Sequence, residues 1–224
     1  QRSAVDPQLR EHKSRPTMTS DVKKIAVVAI ARDEKPFLDE WLLYHRLIGT
    51  SHFFIYDDDV APGLEEFLSP HKEYTTIIRW HDMHQNFTSL RGDRQTKAYT
   101  HAVDHLLAGP QWAAFIDVDE FIVLEKHANL EELVTSFRDV QEIALEWHMF
   151  GHNGHYEDFP GLVTSELTRR KLKPEKHGKC IARCNAIEGF GSIHHCKLKY
   201  GHQEKAYETT HINHYMCRSF VRWM

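Results

Sequence analysis

Lys24 and Arg32 bracket an unbroken apolar run, Ile25-Ala-Val-Val-Ala-Ile-Ala31, rich in β-branched side chains. A strand with one wet face alternates polar and apolar residues. A continuous run requires burial on both faces, which occurs inside a parallel sheet covered by helices. The next stretch changes period. Pro36 suits a first helical turn, and Phe37, Leu38, Trp41, Leu42, Tyr44 and Leu47 follow at helical spacing, with Gly49 as the stop. This strand-then-helix pair restricts the chain to a few layered architectures.

The pattern repeats. His52 to Tyr56 reads as a second strand running into Asp57-Asp58-Asp59, and Tyr74 to Ile78 as a third. Arg94 to Leu107 is helical, with Ala98, Ala102, Val103, Leu106 and Leu107 on one face and Gly109-Pro110 as the breaker. Trp112 to Ile116 is a fourth strand that ends at Asp117-Val118-Asp119. Asn129 opens another helix, with Glu132 completing a capping box and Leu130, Leu133, Val134 and Phe137 forming the core stripe. Ile143 to Trp147 is a fifth strand. Alternating strands and helices predict an α/β fold with a mainly parallel sheet flanked by helices.

Residues 1–24 are polar, contain Pro7 and Pro16 and lack periodicity, so they are expected to form a flexible lead-in to a single domain over 25–224. The chain begins with Gln, and Met18 is the expected native start. Phe220 to Met224 is apolar with no polar tail, so the chain is expected to stop short of its natural end.

Lys and Arg number 28 against 32 Asp and Glu, a net charge of −4, which argues against a reader of phosphate backbones. The run from Ile25 to Ala31 is too short to span a bilayer. No signal-peptide pattern opens the chain, and four Cys do not make a disulfide scaffold. A reducing, cytoplasmic location is the expectation. Asn86-Phe87-Thr88 is a glycosylation sequon, without meaning unless the chain is secreted.

In open parallel sheets, ligands lie beyond the carboxyl ends of the strands. Three polar clusters fall there: Arg32-Asp33-Glu34, Asp57-Asp58-Asp59 and Asp117-Val118-Asp119-Glu120. If strand geometry persists through Asp117-Val118-Asp119, both carboxylates face one side, where they suit a divalent cation that also bridges a diphosphate. Asp57 and Asp58 are candidates for contact with a ribose or base edge. Arg32, Arg94 and Lys97 are candidates to neutralise phosphates. Competing signatures are weak: no phosphate-binding Gly-rich loop follows the first strand, and Cys180, Cys184, His194, His195 and Cys196 are poorly spaced for a zinc knuckle. Those thiols are expected to be ordinary buried or surface groups.

An ordered set of motifs carries a resemblance. Ala31-Arg32-Asp33-Glu34 with Trp41, Tyr56-Asp57-Asp58-Asp59, Phe115-Ile116-Asp117-Val118-Asp119-Glu120-Phe121, Trp147-x-x-Phe150-Gly151-x-x-Gly154-His155 and His214-Tyr215-x-x-Arg218-Ser219 occur in this order. Together they resemble the family 2-like glycosyltransferases, the group that includes family 92, over roughly Ile25 to Ser219. The resemblance implies a GT-A fold, with a nucleotide-sugar-binding half over 25–125 and an acceptor half over 126–224. It implies inverting transfer of a sugar from a nucleotide-sugar donor, expected to be a UDP-sugar, to a glycan or other hydroxyl acceptor. Mn2+ or Mg2+ is the implied cofactor. Asp117 is then assigned to ribose or metal contact, Asp119 to direct metal ligation, Asp57 and Asp58 to the nucleoside, and His214 to the metal shell or diphosphate. Arg32, Asp33, Glu34 and Lys97 complete the expected donor site. A non-catalytic nucleotide-sugar or glycan-binding relative is the alternative.

An inverting transfer needs a carboxylate to take the acceptor's proton. Glu146, in a strand beside Trp147, and Glu157 and Asp158, after the Gly151-His152-Asn153-Gly154-His155 loop, are the candidates, with Asp158 favoured. That loop is expected to be flexible and to line the acceptor pocket.

Overall fold

The computed structural model describes residues 24–81 and 91–224. The lead-in, apart from Lys24, and the Asn86 sequon lie outside the described residues. The elements in chain order are β1 (Ile25–Ala31), α1 (Lys35–Leu47), β2 (His52–Asp57), α2 (Leu64–Phe67), β3 (Thr75–Arg79), α3 (Arg91–His105), β4 (Trp112–Phe115) and β5 (Glu120–Leu124). There follow α4 (Leu130–Ser136), β6 (Glu142–Met149), α5 (Val163–Glu166), β7 (Glu175–Arg183), β8 (Ile187–Phe190), β9 (Cys196–Leu198), β10 (Gln203–Lys205), β11 (Thr210–His214) and α6 (Phe220–Trp223).

Nine strands form one sheet in the order β3-β2-β1-β4-β7-β6-β11-β5, with β10 also pairing with β6. β3, β2, β1 and β4 run parallel, as do β11 and β10 beside β6, while β7 is antiparallel to both β4 and β6 and β5 is antiparallel to β11. This is the mainly parallel, helix-flanked sheet that the alternating pattern predicts. The two halves expected around residue 125 share this sheet, because β7 of the second half inserts between β4 and β6. β8 and β9 form a separate two-stranded ribbon.

The apolar run of β1 is explained by two buried faces. Ile25, Val27, Ala29 and Ala31 join the core beneath α1 and α4, with Phe53, Ile55, Trp112 and Ala114 from the neighbouring strands. Ala26 and Val28 join the opposite core beneath α3, with Phe54, Tyr56, Ala113 and Phe115. The period-2 alternation of the pleat divides each strand between the layers. Gly49 ends α1 with φ 109°, a conformation costly for a residue with a Cβ.

α1 also protects the edge strand β5. Trp41 Nε1 donates to Glu120 O at 2.8 Å, Tyr44 OH donates to Ile122 O at 2.9 Å, and Ile122 N donates to His45 Nε2 at 3.3 Å. Backbone groups that an edge strand would otherwise leave open are thus satisfied by one helix. Among the described residues no helix is long and apolar enough to cross a membrane.

β6 and β7 bulge between Leu145 and Trp147, and Gly178 faces that irregularity. A Cβ at Gly178 would collide with the Leu145 carbonyl, so the close approach admits only glycine. The capping box at Asn129 forms as expected on one side: Glu132 N donates to Asn129 Oδ1 at 2.9 Å. The return bond differs, since Glu132 Oε2 accepts from Ala128 N at 2.8 Å.

Candidate active site

Because β2, β1 and β4 are parallel neighbours, their carboxyl ends share one edge of the sheet. Arg32-Asp33-Glu34, Asp57-Asp58-Asp59 and Asp117-Val118-Asp119 therefore converge, and backbone bonds fix the convergence. Asp58 N donates to Ala31 O at 2.8 Å and Ile116 N donates to Val28 O at 3.3 Å. A cleft of about 210 Å³ opens there. Ile30, Arg32 and Glu34 line it from the end of β1, Asp58 from β2, Arg94 and Gln95 from α3, and Asp117, Val118 and Asp119 from the segment after β4.

The condition set on the sequence, that strand geometry persists through Asp117-Val118-Asp119, is not met. β4 ends at Phe115, and Glu120 N donates to Asp117 O at 3.1 Å, closing a tight turn between β4 and β5. The turn gives each acid its own environment. Asp117 Oδ1 accepts from Lys179 Nζ at 3.0 Å, from Tyr99 OH at 3.4 Å and from the Gln95 amide. Lys179, on β7, is wholly buried, so Asp117 faces a desolvated cation. Asp119 turns to β11, where His214 Nε2 lies 3.4 Å from its Oδ2.

Glu120 completes the group. It is fully buried on β5, opposite His214 in the β5–β11 ladder, and its Oε2 accepts from Asp117 N at 3.0 Å. Ligand atoms of Asp119, Glu120 and His214 all lie within 4.8 Å of one another. Asp119 Oδ1, Glu120 Oε1 and His214 Nδ1 are buried without a hydrogen-bond partner. Unsatisfied buried polar atoms are costly, and each of these three clustered residues carries one. Two carboxylates and an imidazole fit a divalent cation such as manganese or magnesium.

The electrostatics agree. Burial opposes charge on Asp119, yet the hydrogen bond and charge of His214 outweigh it and hold the carboxyl at about 2. Burial likewise opposes charge on His214, and Asp119 overrides it to raise the imidazole to about 9. Glu120 goes the other way: burial pushes it up to about 8 against the pull of Lys179. The pair is an imidazolium–carboxylate, and a cation held through His214 would have to displace its proton.

The remaining candidates fall into two groups. Asp58 lines the cleft and is paired with Arg94 through two guanidinium contacts, one of 3.2 Å from Nε. Asp57 is buried beside it, with Oδ2 accepting from Arg79 Nη1 at 3.0 Å and Oδ1 from Asp59 N at 3.1 Å. Glu34 pairs with Arg218, and burial raises its carboxyl. Arg218 is 3% exposed, its guanidinium lies 4.0 Å from the Phe37 ring centroid, and its Nε and Nη2 are buried without partners. Asp33 is exposed in the left-handed region at φ 59°, and its N–H donates to Asp59 Oδ1 at 2.6 Å. Lys97 sits apart from these, in a separate cleft with Trp80, His101 and Phe190.

Among the described residues, Asp158 is the one of the three candidate bases whose contacts reach the cleft's rim. It accepts from Ser219 Oγ at 3.0 Å and from Arg222 Nε at 2.8 and 2.9 Å, and Arg222 Nη1 donates to Asp33 O at 3.0 Å. Glu157 is exposed. Glu146 lies 3.5 Å from His148 on one side of β6, while Trp147 alternates to the other and packs on His214 with ring centroids 4.8 Å apart. The loop before Asp158 is pinned. Asn153, at φ 53°, donates to Glu166 O at 2.9 Å and accepts from Arg169 N at 3.0 Å.

Lys179, Gln95 and Arg218 were given no role from the sequence, and Glu120 was noted only as part of its motif. Glu120 and Arg218 sat inside quoted motifs, which was the available signal. Lys179 lies in the mixed run Glu175-Lys-His-Gly-Lys-Cys-Ile-Ala-Arg183, where nothing marks it for burial.

The glycosyltransferase family 92 model matches residues 29–222. A family 92 protein of Oryza sativa subsp. japonica is 28% identical over 185 residues, covering 79% of this chain and 30% of that protein. One of Arabidopsis thaliana is 27% identical over 207 residues, covering 86% of this chain and 35% of its own. The chain thus spans about a third of the length of the curated relatives it matches. Among solved structures, mannosyl-3-phosphoglycerate synthase from Rubrobacter xylanophilus is similar with a TM-score of 0.42 at 9% identity, over 74% of this chain and 54% of that one. With the family model spanning nearly all the described sheet and every cleft residue named above, the chain belongs to glycosyltransferase family 92.

Proposed function

We propose that this chain is the donor-binding and catalytic part of a metal-dependent, inverting glycosyltransferase that takes a nucleotide-sugar, a UDP-sugar by preference, and transfers the sugar to a hydroxyl of a glycan or similar acceptor. The observation that carries the metal-dependent reading is the convergence of Asp119, Glu120 and His214 at the carboxyl edge of the parallel strands, with three unpartnered buried polar atoms.

A charge argument supports it. Glu34, Asp58, Asp117 and Asp119 line the cleft against Arg32 and Arg94. A diphosphate entering an acidic cleft would be repelled unless a divalent cation stood between. Asp119, Glu120 and His214 would hold that cation, with Asp117 alongside. The cation would supply charge neutralisation for the departing nucleoside diphosphate. Lys179 and Gln95 fix Asp117, so the acid meets its ligand without reorganising. The free donors of Arg218 are suited to an anionic oxygen beside Glu34. Asp58 and Asp57 take the nucleoside end, and Arg32 the rim. On the acceptor side, Asp158 is the base by virtue of its link to the cleft rim through Arg222.

The test is a thermal-shift panel of nucleotide sugars with and without manganese, followed by transfer of a labelled sugar from any donor that binds. Manganese-dependent stabilisation by UDP and its sugars, with turnover, supports the proposal. Binding without turnover favours the non-catalytic alternative. Stabilisation by UDP undiminished by a chelator would remove the metal from the reading.

A further inference from the structure

A second cluster lies away from the cleft, on groups to which the sugar-transfer reading assigns nothing. β7 carries both. Lys179 reaches Asp117, and Cys180, the next residue, points to the opposite face of the sheet. There the Cys180 thiol meets Glu142 of β6 and Cys196 of β9, with one ligand atom from each within 4.8 Å of the others. Glu142 is 2% exposed and Cys180 is 1% exposed, whereas Cys196 is half-buried and opens the group to solvent. Cys196 Sγ donates to Glu142 Oε2 at 3.1 Å, and His195 Nδ1 donates to Glu142 Oε1 at 3.0 Å. The Gln203 amide also donates to Oε1, at 2.7 Å.

We propose that Glu142, Cys180 and Cys196 form a structural zinc site that clasps the β8–β9 ribbon to the main sheet. Glu142 has hydrogen-bond donors but no Lys or Arg partner among the described residues, and burying a carboxylate without a cation is costly. Two sulfurs and a carboxylate oxygen are ligand types that zinc takes. The chemistry differs from the cleft, whose oxygen-rich donors suit manganese or magnesium. Sequence spacing hid the site because the ligands come from β6, β7 and β9, and because Cys184 is not among them. Bound metal would also fix the strand that carries Lys179, and so the position of Asp117.

The experiment uses the 224-residue chain, reduced with a phosphine, carrying Asp119→Ala so that the cleft contributes no metal. Cobalt(II) is titrated as an optical probe, then displaced with zinc. The expected result is one equivalent of cobalt with an intense thiolate charge-transfer band and tetrahedral visible bands, bleached by zinc. The band should survive the Cys184→Ser, Cys217→Ser double variant, vanish in Cys196→Ser and weaken in Glu142→Gln. Cys196 is half-buried, so its serine variant is expected to fold, and circular dichroism confirms that. Absence of a thiolate–cobalt band in the reduced parent overturns the proposal. So does a band that survives Cys196→Ser, or a Cys180–Cys196 disulfide in the protein as isolated without reductant.

Discussion

His214 Nε2 stands 3.4 Å from Asp119 Oδ2, joining the last strand of the sheet to the turn that follows β4. The contact depends on β11 lying antiparallel to β5, which sets His214 opposite Glu120. On the proposed metal site, removing Asp119 removes a ligand and leaves the His214 imidazolium without its carboxylate. Asp119→Ala is expected to lose the manganese-dependent stabilisation by UDP, about 2.7 kcal/mol in the parent at ligand a hundredfold above Kd. Thermal shift with UDP and manganese reads this. A variant that responds like the parent would show that Asp119 holds no metal.

Lys179 is fully buried against Asp117. Lys179→Met should cost about 3 kcal/mol, because it leaves a partly buried carboxylate uncompensated. Adding Asp117→Leu should recover most of that stability while leaving donor binding abolished. Urea unfolding of the single and double variants, with UDP binding in parallel, separates the structural contribution of the pair from its ligand contribution.

Asp58 lines the cleft and Asp57 is held behind it by Arg79. Asp58→Ala should weaken UDP and UDP-sugars equally, a uniform loss of ground-state binding. Asp57→Ala should lower the melting temperature more than Asp58→Ala does, since it frees Arg79 and an N–H of the turn. Calorimetric titration checks the first claim. Selective loss of one sugar nucleotide, with UDP affinity intact, would contradict it.

If Asp158 takes the acceptor proton, Asp158→Asn should keep donor binding and manganese dependence while transfer falls by roughly two to four orders of magnitude. Glu157→Gln and Glu146→Gln are the comparisons, and steady-state transfer by all three decides. Full activity in Asp158→Asn, with collapse in one of the others, would move the role to that acid.

His45 provides a pH test independent of the site. It is fully buried, and burial lowers its pKa from 6.5 to about 4, against the pull of the Trp41 carbonyl. The folded protein keeps the ring neutral, with Nδ1 donating to Trp41 O at 2.8 Å and Nε2 accepting from Ile122 N. The unfolded chain binds a proton below 6.5 and the native chain does not. Stability should thus fall as pH drops from 6.5 toward 4, by up to about 3 kcal/mol in total. His45→Gln should flatten this window in urea titrations, and an unchanged pH slope would rule His45 out as its source.

Strand and helix periods from Ile25 to Trp147 are local properties, set by side-chain spacing, so β1 to β4, β6 and the helices α1, α3 and α4 are legible before any fold is known, whereas the short α2 and the strand β5 directly after the acidic turn are not. Their alternation also placed three polar clusters at one sheet edge. Beyond Trp147 the local signal fades. β7 mixes Glu, Lys, His and Gly with only a short apolar end, yet lies at the centre of the sheet because its pairing with β4 and β6 is long-range. The same reason hid Lys179, whose burial is stabilised by Asp117 across the sheet and not by any neighbour in sequence. Whether strand geometry continues through Asp117-Val118-Asp119 stays open in the sequence, since the alternation of acids with valine fits both strand and turn. Tertiary structure alone could part the two acids, one to Lys179 and one to His214, and alone could bring Glu142, Cys180 and Cys196 together. Such pairings are decided by which strands become neighbours, a property of the whole chain's burial and not of any window along it.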